Sequence, residues 1–180
     1  MATTVSLVAQ VFNTDGGIHE IPLPDAPGKL FLCGKHFIAP RVDEVITTYA
    51  LDRVVCLVEE HELADRYDDY IAWHHAHAGS LARWIPIHDL SYPSFATAFD
   101  MIEKITADIH ASRNVVVHCA AGIGRAGTTA TAVLMNTGMK MDVALQHVRQ
   151  HRPMAGPESG QQMEFIQQLQ KYFDDNKSSN

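Results

Sequence analysis

A candidate nucleophile, a phosphate-sized loop and an arginine follow one another in a single stretch of the sequence. Cys119 and Arg125 are separated by five mostly small residues: Ala120, Ala121, Gly122, Ile123 and Gly124. This Cys119 loop (residues 119–125) can curl until its backbone N–H groups converge, and such donors at the start of a helix favour an anion. Arg125 can grip two phosphate oxygens with its guanidinium. Because the same field favours a thiolate, the stretch predicts that Cys119 attacks a bound phosphate.

The residues on either side of the Cys119 loop are suited to positioning it. Three β-branched apolar residues, Val115, Val116 and Val117, precede the loop and predict a buried parallel strand. The small side chains of residues 125–136 predict a helix that packs closely beneath a sheet. Five residues between a cysteine and an arginine are common by chance, but this combination of strand, glycines and helix is not. The plainer alternative is a buried cysteine in a strand-to-helix turn.

The segment HCAAGIGRAG resembles the signature sequence of the cysteine-dependent protein tyrosine phosphatases, which is His, Cys, two residues, Gly, two residues, Arg, then Ser or Thr. The matching residues are His118, Cys119, Gly122 and Arg125. The resemblance spans roughly residues 29–173 but is sharp only here. It implies that His118 supports the loop rather than acting as a base. The chain departs from the family at Ala126, where a hydroxyl normally donates to the cysteine sulfur and helps it leave the phosphoenzyme.

A thiolate that attacks phosphorus needs an acid to protonate the departing ester oxygen. Asp89 is the candidate, because it follows a predicted strand that ends at Ile87 and therefore emerges at the same sheet edge as the Cys119 loop. It lies 30 residues before Cys119, which is similar to the spacing between acid and nucleophile in the dual-specificity branch of the family. The alternative is a turn or capping aspartate beside Pro93.

The resemblance also implies a glutamine that orients water during hydrolysis of the cysteinyl phosphate. Counted back from Phe165, Gln162 fits the family pattern best, and Gln161 is the alternative register. For either residue, a solvated helix face is an equally simple interpretation. Glu158 stands where tyrosine-specific members of the family carry another glutamine, which indicates that those enzymes are not the nearest relatives.

Composition limits the classes of function. The 180 residues, 46% of them hydrophobic, suit one domain with one core. A net charge of −7 and a pI of about 5.8 argue against a nucleic-acid surface. No apolar run approaches the ~18 residues of a membrane span, and no basic residue precedes the N-terminal apolar run. The cysteines Cys33, Cys56 and Cys119 are few and unpaired in spacing. We therefore expect a cytoplasmic protein that binds neither nucleic acid nor membrane.

A histidine cluster offers the only hint of a metal site. His74 and His77 lie three residues apart on a predicted helix, with His75 between them. No cysteine or carboxylate completes a ligand set, and the chemistry implied by the resemblance needs no metal. We therefore expect neither a metal nor another cofactor.

The order of predicted elements indicates an α/β fold. Residues 5–12 and 17–21 predict an N-terminal hairpin or edge pair, a Pro-rich loop extends to residue 28, and residues 174–180 predict a disordered tail. Between them the predicted strands are 29–33, 53–58, 83–87 and 115–117, and the predicted helices are 41–49, 59–78, 95–112, 125–136, 141–151 and 158–173. This alternation predicts a single domain, residues 1–180, with a mostly parallel central sheet of about five strands flanked by helices on both faces. Ligands of such sheets bind beyond the carboxyl ends of the strands.

These observations predict a small dual-specificity-like phosphatase that works through a cysteinyl-phosphate intermediate. Phosphoinositide-directed relatives carry lysines inside the loop, where this chain has Ala120 and Ile123. The expected substrate is therefore phosphotyrosine or phosphoserine/threonine in a phosphorylated protein.

Other classes of function stay open. One is a slow phosphate-binding pseudophosphatase, suggested by Ala126. Another is a different user of the same loop, such as an inositol polyphosphate phosphatase or a thiol-based arsenate reductase. A reductase needs partner cysteines, and Cys33 and Cys56 fall in predicted strands. Cys56 could form a disulfide with oxidised Cys119 or simply fill the core.

Overall fold

The Cys119 loop follows the central strand of a five-stranded sheet, in a computed structural model that describes residues 16–177. The strands are β1 (Ile18–Ile21), β2 (Leu30–Gly34), β3 (Arg53–Cys56), β4 (Ala82–Trp84) and β5 (Val115–Cys119). Their order is β1-β2-β5-β3-β4, and only the β1–β2 pair is antiparallel. The expected mostly parallel α/β sheet is confirmed. Every residue of β5 is buried, as a central parallel strand requires.

Seven α-helices flank the sheet in the described part of the chain. They are α1 (Lys35–Ile38), α2 (Val42–Tyr49), α3 (Asp68–Ala76), α4 (Phe95–His110), α5 (Gly124–Asn136), α6 (Met141–His151) and α7 (Gly160–Lys177). The small residues of α5 let it contact β2, β5, α4, α6 and α7. At Gly127, for example, an added Cβ would lie 2.2 Å from the backbone nitrogen of Gly156. No helix between residues 16 and 177 has the length and hydrophobicity that crossing a bilayer requires.

The prediction of one helix over residues 59–78 is wrong in its first half. Glu60–Glu62 form only a single 3₁₀ turn, which is closed by reciprocal hydrogen bonds between Glu59 and Glu62. Asp65 then adopts a φ of 66°, which a continuing helix does not allow. The α-helix starts only at α3. As a consequence, Glu62 lies in a connecting segment and can reach across to the Cys119 loop.

Several predicted boundaries also shift. The strand expected over residues 83–87 ends at Trp84, because Pro86 has no N–H to donate. Even so, the Ile85 and Ile87 N–H groups donate to the carbonyls of Cys56 and Leu57, at 2.9 and 3.0 Å. These bonds carry the chain along β3 to the sheet edge where Asp89 follows.

At the two ends of the chain the outcome is mixed. The first strand of the predicted hairpin, residues 5–12, lies outside the described residues. The second, residues 17–21, contains β1, which pairs with β2. Disorder over residues 174–180 is wrong for residues 174–177, which belong to α7. Hydrogen bonds within the helix extend into this part, from Gln170 to Asp174 at 2.9 Å and from Asn176 to the Tyr172 carbonyl at 2.8 Å.

Candidate active site

The Cys119 loop owes its shape to one glycine. Cys119 is the last residue of β5, and α5 begins at Gly124. Between them Gly122 has a φ of 73°, and an added Cβ there would lie 2.3 Å from the Cys33 carbonyl oxygen. Only glycine combines the left-handed backbone with this close approach to β2.

In the middle of the Cys119 loop, at residues 120–123, the carbonyl groups are occupied by hydrogen bonds and the N–H groups are not. The four carbonyls of residues 120–123 accept hydrogen bonds from the Lys35 N–H, the Arg152 guanidinium, and the N–H groups of Gly127 and Gly156. By contrast, none of the N–H groups of residues 120–123 donates to another residue within the described chain. Because the N–H and C=O of a peptide point in opposite directions, the loop presents free donors that suit a tetrahedral anion.

Arg125 is held in one orientation by Glu62. Its side chain is 1% exposed, and its two terminal nitrogens donate to the two Glu62 carboxylate oxygens at 2.6 and 2.9 Å. One of them also donates to the Ile87 carbonyl at 2.8 Å. Such a fork-to-fork pair fixes the plane of the guanidinium. Burial alone would lower the pKa of Arg125, but the Glu62 hydrogen bonds and nearby negative groups raise it, so Arg125 is a permanent cation.

Glu62 is a site residue that sequence reasoning missed. Its second hydrogen-bond donor is the Glu59 N–H at 3.0 Å, and Lys35 donates to its backbone carbonyl at 2.6 Å. Partial burial alone would raise the pKa of Glu62, but the hydrogen bonds from Arg125 and Glu59 and the two nearby cations lower it. Glu62 is therefore an anchored carboxylate. In the sequence Glu62 is one of several closely spaced acidic residues, and nothing there distinguishes it from the others.

Asp89 lies at the rim of the same site. Its Oδ1 is 3.2 Å from an Arg125 terminal nitrogen, while 65% of its side chain stays exposed. The segment that carries it, the Asp89 loop (residues 88–93), is attached at its far end, where the Tyr92 hydroxyl is 2.8 Å from the Thr129 hydroxyl on α5. The predicted acid is thus close to the predicted phosphate grip and open to solvent.

Gln162 and Gln161 both contact the Asp89 loop. Gln162 is fully buried rather than on a solvated face. It accepts the Glu158 N–H at 2.8 Å and donates to the Ser91 carbonyl at 3.4 Å. The exposed Gln161 accepts from the Ser91 hydroxyl at 2.9 Å. The two glutamines therefore connect the start of α7 with the segment that carries Asp89.

His118 is buried directly before Cys119, the candidate nucleophile. Its Nε2 lies 2.7 Å from the Tyr70 hydroxyl. Burial, aided by the neighbouring His74, lowers the pKa of His118 to about 3. The imidazole is therefore neutral at physiological pH and too weakly basic to take a proton from substrate. This environment agrees with a supporting role.

A comparison with known protein families identifies the family to which the chain belongs. Residues 51–175 match the family described as the dual specificity phosphatase, catalytic domain. The chain belongs to the dual specificity phosphatase family. Dual specificity protein phosphatase 5 of Homo sapiens is 33% identical over 92 residues, which are 50% of this chain and 23% of that protein. Tyrosine-protein phosphatase yvh1 of Schizosaccharomyces pombe is 32% identical over 95 residues, which are 52% of this chain and 28% of that protein.

A solved structure extends the similarity over nearly the whole fold. The crystal structure of Tk-PTP in the active form is similar with a TM-score of 0.64 and 29% identity, over 82% of this chain and 97% of that one. The dual specificity phosphatase fold of the chain thus follows from a neighbour of comparable size. The chain spans only about a quarter of the length of its curated relatives, at 23% and 28%.

At Ala126 the chain lacks the hydroxyl that the family motif leads us to expect, and no hydroxyl among residues 16–177 donates to the Cys119 sulfur instead. Ala126 is fully buried. The Thr129 hydroxyl on the next turn donates to the Arg125 carbonyl at 2.9 Å. The Thr128 hydroxyl donates to the Gln162 side chain at 3.4 Å. Both hydroxyls are therefore engaged away from the Cys119 sulfur.

The three histidines singled out in the sequence do not come together. His75 is exposed, and the Nδ1 of His77 lies 2.8 Å from the Trp73 carbonyl. His74 instead lies near Cys56 and His118, with one possible ligand atom from each within 4.8 Å of the others. Burial raises the pKa of Cys56 to about 12, which keeps a neutral thiol there. The absence of a metal stays a prediction.

Proposed function

We propose that this protein hydrolyses phosphomonoesters, with phosphorylated proteins as substrates and a cysteinyl phosphate as the intermediate. The observation that carries the proposal is the pairing of two features around Cys119. The free N–H groups of residues 120–123 form an anion cradle, and Arg125 is fixed beside it by Glu62. A phosphoryl group satisfies both, because it carries several strong acceptor oxygens and at least one negative charge.

The first step transfers the phosphoryl group to the enzyme. The Cys119 thiolate attacks phosphorus, so that an S–P bond forms and the P–O bond of the ester breaks. Asp89, protonated in this step, gives its proton to the departing oxygen. Its position supports this role, because the carboxyl lies at the rim of the site, 3.2 Å from the arginine that would hold the phosphoryl group. The cradle and Arg125 stabilise the charge on the equatorial oxygens of the transition state.

The second step returns the enzyme to its starting state. Water attacks the cysteinyl phosphate, Asp89 now accepts a proton from that water, and the S–P bond breaks to release phosphate and thiolate. Gln161 and Gln162, through Ser91, lie next to the segment that carries Asp89. They are the candidates for orienting the water.

The choice of phosphoproteins rests on the surroundings of the loop. Ala120 and Ile123 leave the loop without the lysines that favour highly charged inositol phosphates. Leu90, beside Asp89, and Met154, two residues after Arg152, are exposed apolar side chains that a peptide can cover. Cys33, Cys56 and Cys119 are not joined in disulfides, which agrees with the cytoplasmic, reducing location that we also propose.

Hydrolysis of para-nitrophenyl phosphate by the purified protein, with a chelator present, tests this proposal. We expect turnover that is lost in Cys119→Ser. A phosphotyrosine peptide and a phosphothreonine peptide should then be better substrates than an inositol polyphosphate at equal concentration. Turnover that persists in Cys119→Ser would contradict the mechanism. Preference for the inositol phosphate would contradict the substrate class.

A further inference from the structure

Arg152 connects the Cys119 loop by hydrogen bonds to the segment around residues 16–19 and to β2. It follows α6 directly and is only 4% exposed. Its Nε donates to the Gly122 carbonyl at 2.6 Å, and one terminal nitrogen donates to the Ala121 carbonyl at 2.8 Å. Its other terminal nitrogen lies 3.3 to 3.4 Å from the carbonyls of Gly16, Gly17 and Leu32 and the Nδ1 of His19.

This buried charge is surrounded by neutral acceptors. Arg125 has a carboxylate partner in Glu62, but no residue in the described range gives one to Arg152. Since arginine has no acceptor, His19 must present an unprotonated Nδ1. Burial lowers the pKa of Arg152, and the nearby thiols of Cys33 and Cys119 partly oppose this. A buried guanidinium without a counter-charge is costly, which argues that it does more than fill space.

The two short hydrogen bonds act on two particular peptide groups. The Ala121 carbonyl shares a peptide plane with the Gly122 N–H, and the Gly122 carbonyl shares one with the Ile123 N–H. A carbonyl held toward Arg152 therefore holds its N–H toward the opposite side. Neither N–H donates to another described residue. Because Gly122 has a φ of 73°, the backbone here has the freedom to turn when this hold is absent.

We infer that Arg152 is a positioning residue of the phosphate site, which orients the Gly122 and Ile123 N–H groups and adds a positive charge behind Cys119. The inference rests on the proposed function, because it assigns these donors to a phosphoryl group. Arg152 itself does not touch the substrate. It acts through the loop that does.

The test compares Arg152→Met with Arg152→Lys. Methionine approximates the stem and removes the charge and all donors, whereas lysine keeps the charge but not the two-pronged contact. We expect kcat/KM for para-nitrophenyl phosphate to fall about 10²-fold in Arg152→Met, since loss of one oriented donor typically costs about 10²- to 10³-fold in kcat. Arg149→Met is the matched control, because Arg149 lies at the same helix end but is exposed. It should stay within about twofold of the wild type.

A second readout does not depend on turnover. We expect iodoacetate to alkylate the Cys119 thiolate and inorganic phosphate to protect it. In Arg152→Met alkylation at a fixed pH should be slower than in the wild type, and protection should need at least about tenfold more phosphate. Arg152→Lys should restore most of the alkylation rate but not the protection. A lower melting temperature with unchanged alkylation, protection and kcat/KM would overturn the inference.

Failure of this inference and failure of the proposed function remain distinguishable. If Arg152→Met does not fold, Arg152→Lys alone decides. Weaker phosphate protection in that variant supports the inference, and unchanged protection overturns it. If the wild-type protein binds phosphate but hydrolyses no phosphomonoester, the proposed function fails. The protection assay then still shows whether Arg152 orients the anion cradle.

Discussion

The Glu62 carboxylate lies against the Arg125 guanidinium with two parallel hydrogen bonds, at 2.6 and 2.9 Å. The pair fixes the arginine in a plane before any substrate arrives. Glu62 comes from a 3₁₀ turn after β3 and Arg125 from the first turn of α5. Two separate segments are thus needed to orient the arginine of the proposed phosphate site.

Glu62→Gln should impair catalysis more than folding. The amide keeps the shape of the side chain but offers one acceptor oxygen instead of two, so Arg125 loses its fixed plane. We expect kcat/KM to fall about 10- to 100-fold, which corresponds to about 1.4 to 2.7 kcal/mol of lost transition-state stabilisation. Glu60→Gln is the control, because Glu60 is exposed in the same turn. Equal small effects from both variants would mean that Arg125 needs no partner.

Asp89→Asn should slow the hydrolysis of esters with poor leaving groups far more than that of activated ones. An amide cannot donate a proton to the departing oxygen, and general acids typically contribute about 10²- to 10⁴-fold. Single-turnover rates with phenyl phosphate and with a nitro-substituted phenyl phosphate measure the difference. Asp100→Asn, an exposed aspartate on α4, serves as a control for charge. Equal losses on both esters would point to another acid.

The missing hydroxyl at Ala126 should make the second step rate-limiting. A hydrogen bond to a charged group contributes roughly 1.5 to 3 kcal/mol, and the Thr128 and Thr129 hydroxyls are engaged elsewhere. Rapid mixing with an activated aryl phosphate should therefore show a burst of phenol equal to the enzyme concentration. Ala126→Ser should shrink the burst and raise kcat. No burst, and no gain from Ala126→Ser, would mean that the first step limits turnover.

The stability of the fold should depend on His74 below neutral pH. Burial, with the nearby His75 and His77, lowers the pKa of His74 to about 4. The unfolded chain then binds a proton near pH 6.5 that the folded protein accepts only near pH 4. Folding stability is therefore full above pH 6.5 and decreases as the pH falls toward 4, by up to about 1.4 kcal/mol per pH unit for this residue.

His74→Phe removes this dependence and isolates it from that of His118. Neither His74 ring nitrogen has a hydrogen-bond partner among the described residues, so the variant should be about as stable as the wild type at pH 7.5. Between pH 6 and 5 its free energy of unfolding should decrease less steeply, by about 1.4 kcal/mol per pH unit. Denaturant titrations at each pH measure this. His75→Gln, at an exposed position, should keep the wild-type slope, and an unchanged slope in His74→Phe would refute the assignment.

Periodicity and strand composition predicted the framework of the site because they are local signals. A run of three β-branched apolar residues, here Val115, Val116 and Val117, indicates a central strand without reference to the rest of the chain. Asp89 then comes close to Arg125 of the Cys119 loop, because the carboxyl ends of β4 and β5, two parallel strands separated by β3, lie at one edge of the sheet. The family motif added Arg125 and the role expected of His118. These parts need no knowledge of distant contacts.

Glu62 and Arg152 depend on tertiary contacts that the sequence does not display. The acidic residues around Glu62 have the composition of a helix N-terminus. A 3₁₀ turn forms there in place of the expected helix, and it brings Glu62 to Arg125. Arg152 is one of several basic residues near the C-terminus of α6, and a favourable interaction with the helix dipole is enough to explain them. Gln161 and Gln162 point about 100° apart on a helix. Only the packing of α7 shows which of them is buried.

The covalent intermediate is the central claim, and acid quenching of the enzyme during turnover tests it most directly. The wild-type protein is mixed with an activated aryl phosphate, stopped in acid within milliseconds, digested and examined by mass spectrometry. We predict one added phosphoryl group on the peptide that contains Cys119, in an amount that matches the burst of phenol, and none in Cys119→Ser. Turnover without this adduct, or with the phosphoryl group on another residue, would contradict the mechanism.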